Sequence, residues 1–248
     1  MTAPLVALRG VDKVYSNGVV ALKGVDLAIR EGEFVSLLGP SGCGKSTVLR
    51  LIAGLGERSI GSIEWSSAQH EIGFVFQDPT LMPWASVFDN IYLPLRVKGI
   101  NKKDSKPRVE RAMEQVGLAG TGNAYPRELS GGMRMRVSIA RALVAEPKVL
   151  LMDEPFAARD EITRFKLNDD LRELWASQHW TVIFVTHSVF ESVYLSTRIL
   201  VMNARPGRVS SEVAIDVASA REPSFRTSGA YADQCRTVSA RLAEAMGA

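Results

Sequence analysis

One run constrains this chain more than any other: Gly39-Pro40-Ser41-Gly42-Cys43-Gly44-Lys45-Ser46-Thr47, which fits G-x-x-x-x-G-K-[ST] in full. Glycines at these spacings let the backbone curl so that its N–H groups face an anion, and a helix opening behind the loop adds its positive end. The setting is right for that use. Phe34-Val35-Ser36-Leu37-Leu38 ahead of the loop reads as a buried strand, and Ser46 to Ala53 behind it reads as a helix. Lys45 then supplies a point charge toward the β and γ phosphates of a nucleotide, and Ser46 a hydroxyl for Mg²⁺. Cys43, near a helix N-terminus, is a conceivable nucleophile, but no partner base is evident and loop filling is the simpler role.

The rest of the chain supplies a sheet around that loop. Val6 to Tyr15 and Val19 to Ile29 are strand-prone on either side of the Ser16-Asn17-Gly18 turn, and Gly61 to Trp65 and Ile72 to Phe76 add short strands. Asp89 to Val97, Asn101 to Val116 and Gly131 to Ala145 read as helices, which sets 88–145 apart as a helical insertion. The strand pattern returns at Lys148 to Met152, Thr181 to Thr186, Ile199 to Met202 and Val209 to Val217, with helices expected over Asp160–Ser177 and Ser188–Ser196. Such alternation predicts a covered, largely parallel sheet and an α/β fold. The expected layout is an N-terminal β region with the first part of the core over 1–87, the insertion, the second part of the core over 146–220, and a tail over 221–248. In that tail a helix from Tyr231 to Met246 can align Cys235, Val238, Leu242 and Met246 on one face.

Composition narrows the partners. With 46% hydrophobic and 23% charged residues the chain needs no metal or disulfide staple to fold, and its two cysteines, Cys43 and Cys235, lack metal-ligand spacing. A net charge of +3 without a dense basic stripe argues against a nucleic-acid tracker; Arg134, Arg136 and Arg141 read as solvated helix surface. Neither a signal core after Met1-Thr2-Ala3-Pro4 nor a long apolar run appears, so membrane association is expected only through a partner.

Lys148 to Met152 runs into Asp153-Glu154-Pro155, two carboxylates at the end of an apolar strand. Buried acids are costly unless paired or metal-bound. Beside a phosphate loop, Asp153 can hold Mg²⁺ directly or through water, and Glu154 can take a proton from, or orient, the water attacking the γ-phosphate. Of the three histidines, His187 follows an apolar strand and can reach the same sheet edge, either as a γ-phosphate contact or as a structural residue; His70 and His179 read as surface. Leu129-Ser130-Gly131-Gly132, ahead of a helix beginning near Met133, is a second candidate anion site or a structural cap.

Together these motifs resemble the ATP-binding subunit of an ABC transporter over roughly residues 6–217. Gly39 to Thr47 resembles the family's Walker A loop, Leu129 to Gly132 its LSGG signature, and Val149 to Glu154 its Walker B segment with the catalytic glutamate. Gln77 matches the Q-loop glutamine, a ligand of the metal and a link to the membrane subunits; His187 matches the switch histidine, and Tyr15 the aromatic that stacks on adenine. The resemblance implies an ATPase working with Mg²⁺ as a head-to-tail pair, in which Ser130, Gly131 and Gly132 contact ATP bound to the Lys45 of a second copy. It also implies separate permease subunits docking near Pro79, Leu81, Met82, Pro83 and Trp84, with the chain held peripherally on the cytoplasmic face of a bacterial inner membrane. Asp160 to Asn168 and Thr186 to Ser192 resemble the branch importing nitrate, sulfonates and taurine, usually with a periplasmic solute-binding protein. Two positions depart from the family pattern: Arg159 precedes Asp160 where Leu is common, and Met135 stands where Gln is frequent.

Overall fold

The computed structural model describes residues 3–67, 71–157, 160–178, 180–215 and 223–247, so His70, Arg159, His179 and the expected strand residues Asp216 and Val217 lie outside it. In chain order the elements are β1 (Val6–Val14), β2 (Val20–Ile29), β3 (Phe34–Leu38), α1 (Lys45–Ile52), β4 (Ile60–Trp65), β5 (Ile72–Val75), α2 (Val87–Val97) and α3 (Lys102–Gln115). There follow α4 (Gly131–Leu143), β6 (Val149–Asp153), α5 (Glu161–Gln178), β7 (Thr181–Thr186), α6 (Val189–Leu195), β8 (Arg198–Asn203), β9 (Arg208–Ala214) and α7 (Gly229–Met246). They form two units, one of Met1–Gln69 with Trp180–Ala248, the other of His70–His179.

In the first unit an antiparallel sheet of order β2-β1-β4 sets Val6 opposite both Ile29 and Trp65. A second group of strands runs β7-β3-β8-β9, with β3 parallel to both β7 and β8. Every residue of β3 and β7 is buried, and for that reason they read as unbroken apolar runs rather than as alternation. Ser36, the polar exception in β3, satisfies its hydroxyl against Ser196 at 2.5 Å. The arrangement is largely parallel, as expected; the exception is the edge strand β9, which pairs antiparallel with β8. Its burial alternates along the strand, as an edge strand's does, and such a pattern carries no information about direction.

Arg198 at the start of β8 is buried and donates to Glu33 at 2.7 Å, Glu212 at 2.9 Å and the Ala28 carbonyl at 2.6 Å. Burial alone would pull its pKa down; the bonds to Glu212 and Glu33 more than offset this and hold it above the ordinary value. Helix α7 buries Tyr231, Cys235 and Val238, but Leu242 is only half-buried and Met246 is 60% exposed, so the expected apolar face ends before the last turn.

In the second unit β5 and β6 pair in parallel, Ile72 opposite Val149 and Val75 opposite Met152. Helices α2, α3 and α4 pack beside them, each opened by a side chain that accepts a first-turn N–H: Ser86 from Asp89, Asn101 from Asp104, and Ser130 from Met133. Such caps are worth about 1 kcal/mol each. Helix α4 buries Met135, Val137, Ile139 and Leu143, large side chains worth roughly 1.5–3 kcal/mol apiece when fully removed from water. Met135, at the position where a polar residue is frequent, is thus a core residue. The arginines of α4 are not the solvated surface expected of them. Arg134 donates to the Leu129 carbonyl, Arg136 to Asp170 and the Val116 carbonyl, and Arg141 to the carbonyls of Pro79 and Thr80. Charge patterning marks a residue as basic but not as tied to a carbonyl distant in sequence.

Candidate nucleotide site

The phosphate loop lies in the first unit, between β3 and α1. Gly42 and Gly44 turn the chain with φ of +78° and +94°, values that side-chain-bearing residues rarely adopt. Gly44 is also the residue before α1 and has no side chain to cap the first turn, so an anion can approach the helix N-terminus. Close approach requires glycine as well. A Cβ on Gly44 would stand 2.6 Å from Leu22 Cδ2, and one on Gly39 2.6 Å from the Met202 carbonyl. Lys45 is buried to 4% exposure, its ammonium donating to the carbonyls of Gly39 at 2.8 Å and Pro40 at 3.0 Å. Ser41 is exposed, and Pro40, Ser46 and Thr47 are half-buried at the rim. A curled glycine backbone, a helix N-terminus and a buried lysine together fit a nucleotide's phosphates.

Tyr15 and His187 are brought to this loop by different strands. Tyr15 follows β1, is 40% exposed, and places its hydroxyl 3.2 Å from Thr47 Oγ1 on α1. His187 follows Thr186, which stands in register with Leu38, the residue before Gly39. The two residues after that register, Gly39 and His187, therefore leave the same end of adjacent parallel strands, with His187 exposed.

The second unit carries the carboxylates. Since Val75 is in register with Met152, Phe76 and Gln77 leave the sheet beside Asp153 and Glu154. Asp153 is 7% exposed, Glu154 half-buried and Gln77 exposed. Glu154 holds φ at +45°, a left-handed conformation that costs of order 1–3 kcal/mol and collects at functional sites. Ser130, Gly131 and Gly132 open α4, and a Cβ on Gly132 would come 3.1 Å from Thr163 Cγ2, tight enough to favour glycine. Among the described residues no three His, Cys, Asp or Glu side chains gather as a metal cage. Mg²⁺ does not need one, because it takes one or two protein oxygens and completes its shell with phosphates and water. Ser46, Gln77 and Asp153 supply oxygens of that kind.

Cys43 is fully buried, and burial raises its thiol pKa despite the opposing charge of Lys45. It fills the loop rather than attacking anything. Iodoacetamide is expected to leave Cys43 unmodified in the folded chain and to label it after denaturation, as peptide mass mapping would show; rapid labelling of the folded chain would restore the nucleophile reading.

Three supports around these residues are absent from the motifs read in the sequence. Gly207 lies against the phosphate loop, donating to the Ala21 carbonyl at 3.0 Å and accepting from the Lys23 amide at 3.1 Å. Asn90, fully buried, ties down the segment ahead of α2 through the Met82 amide and the carbonyls of Met82, Ala85 and Ser86. Glu191 is buried next to the His187 turn. A polar residue inside an apolar helix pattern was the available signal for the last two; nothing marked Gly207.

A curled glycine loop with a buried lysine, ahead of a helix and at the edge of a parallel sheet, defines a P-loop nucleotide-binding protein. A family model described as ABC transporter matches residues 22–157. The aliphatic sulfonates import ATP-binding protein SsuB 1 of Pseudomonas syringae pv. syringae is 46% identical over 224 residues, covering 90% of each chain. SsuB of Bacillus subtilis is 45% identical over 205 residues, 81% of this chain and 79% of its own. Among solved structures, the dimeric ATP-binding cassette MJ0796 in a post-hydrolysis state with ADP and Pi matches at a TM-score of 0.74 and 34% identity, over 85% of this chain and 99% of that one. Clostridium perfringens cbiO1, part of the ABC transporter complex cbiONQ, matches at 0.78 and 28% identity, over 98% and 97%. The chain belongs to the ABC transporter family, as an ATP-binding and ATP-hydrolysing subunit with a P-loop core, an antiparallel β subdomain and an inserted helical subdomain.

Proposed function

We propose that this chain energises the import of a small anionic or zwitterionic solute, a sulfonate, taurine or nitrate, through a separate membrane permease. The observation that carries the reading is the pair of sheet edges: phosphate loop and His187 on one, Gln77, Asp153 and Glu154 on the other. Relatives named for sulfonate import support the solute class. In this reading Tyr15 stacks on the base, while the amides from Gly39 to Thr47 and the Lys45 ammonium neutralise the phosphates. Glu154 takes the proton of a water whose oxygen bonds to the γ-phosphorus as the bond to the ADP oxygen breaks, and His187 contacts the transferred group. Ser46, Asp153 and Gln77 would hold Mg²⁺, which would supply positive charge to offset that of the phosphates.

Ser130, Gly131 and Gly132 are assigned to ATP on a second copy of the chain, a pairing supported by the dimeric relative. The permease is assigned to the second unit. There an apolar cavity of about 520 Å³ is lined by Phe74, Phe76, Leu93, Pro94, Val97 and Arg141, with Val97 79% exposed, and Trp84 on the segment ahead of α2 is 77% exposed. Among the described residues no helix is long and apolar enough to cross a membrane, so attachment to the cytoplasmic face of a bacterial inner membrane rests on this docking. A periplasmic solute-binding protein completes the assembly. The test is reconstitution of the chain in vesicles with its permease subunits, followed by uptake of labelled sulfonate, taurine and nitrate. ATP-dependent uptake of one of them is expected; hydrolysis with none of them moved would overturn the solute assignment.

A further inference from the structure

The turn that carries His187 is closed into a ring of hydrogen bonds by residues on either side of it. Thr186, the last residue of β7, donates its hydroxyl to Glu191 at 2.6 Å and accepts the Ser188 amide at 3.0 Å. Ser188 in turn accepts the Glu191 amide on its hydroxyl at 3.3 Å. We propose that Glu191 is a positioning residue for His187, fastening the first turn of α6 to the end of β7 so that the imidazole meets the γ-phosphate from a fixed place. The proposal rests on the reading of His187 as a phosphate contact.

Burial and helix length both point to it. Glu191 is 7% exposed, and a carboxylate is costly there without strong partners. Helix α6 has seven residues, too few to hold an orientation alone, so its anchors decide where its first turn sits. One anchor is the ring, rooted through Thr186 in a strand that is in register with β3. The other is Tyr231 of α7, whose hydroxyl donates to the Phe190 carbonyl at 3.0 Å. His187 lies inside the ring in sequence but is exposed, and so is constrained without being covered. The phosphate loop draws on none of these bonds. Loosening the ring should therefore slow turnover and leave ATP binding alone.

The experiment is steady-state phosphate release by the full-length chain, at concentrations where the rate per chain no longer rises. E191A is expected to lower kcat about tenfold with KM for ATP unchanged, and E191Q, whose amide oxygen can still accept from Thr186, to recover most of the rate. In an H187A background E191A should cost nothing more, since both act through one side chain. An H187A chain at wild-type kcat would remove the reading of His187 itself. Impaired H187A beside unimpaired E191A, or a double variant showing the product of the two losses, would overturn the role of Glu191. Should E191A fail to fold, S188A opens the ring while sparing the buried carboxylate; a smaller kcat loss, again absent with H187A, is expected, and an unchanged kcat would overturn the proposal.

Discussion

An E154Q chain is expected to bind ATP with near wild-type affinity and to hydrolyse it about a thousandfold more slowly. Glutamine matches glutamate in shape and can still accept a hydrogen bond, but it cannot take a proton from water. The backbone gives a reason to expect an intact fold. Glu154 already occupies a left-handed conformation at φ +45°, between Asp153 at the buried end of β6 and the turn in which Ala157 donates to its carbonyl at 3.2 Å. That main-chain bond is open to glutamine as it is to glutamate. Binding should survive because the phosphates are assigned to the loop from Gly39 to Thr47, which belongs to the other unit. Phosphate release measured beside nucleotide titration separates the two properties. Turnover within a few fold of wild type would move the proton acceptor to another group.

Much of this was legible because the motifs coincide with strong local signals. The run Phe34 to Leu38 is apolar throughout, the glycines after it allow only a turn, and the helix that follows has its start marked by Gly44 and Lys45. Thr181 to Thr186 and Val149 to Met152 are equally plain, so the sheet edges that carry His187 and Glu154 could be placed in sequence. What stayed hidden depends on which groups pair. The direction of β9, the engagement of Arg136 with Asp170, and the closure of Glu191 onto Thr186 are each set by a partner whose position local periodicity does not encode. Met246 shows the complementary failure. It shares a helical stripe with Cys235 and Val238, yet is 60% exposed, because a stripe states which side chains align and not how far the covering surface extends.

Replacing Gly207 with alanine is expected to weaken ATP binding at least tenfold and to cost roughly 2–4 kcal/mol of stability, although Gly207 belongs to no nucleotide motif. The added Cβ would stand 2.1 Å from the Cys43 carbonyl oxygen and 2.9 Å from that of Ala21. Both are backbone atoms, so no side chain can swing aside. Gly207 cannot simply retreat, because its amide and carbonyl are fastened to Ala21 and Lys23 of β2. Either those two bonds break or the Cys43 carbonyl moves by about an ångström, and a shift of that size is enough to misdirect groups that must meet a ligand at fixed positions. The second route carries the phosphate loop with it, since Cys43 lies between Gly42 and Gly44, whose left-handed turns set where the loop amides point. Gly229→Ala is the matched control: its Cβ meets nothing within 4 Å among the described residues, and neither affinity nor stability should change appreciably. Nucleotide titration and urea unfolding of both variants distinguish a displaced loop from a general loss of fold. If Gly207→Ala remained folded and bound ATP as tightly as wild type, the loop would owe its shape to its own glycines alone.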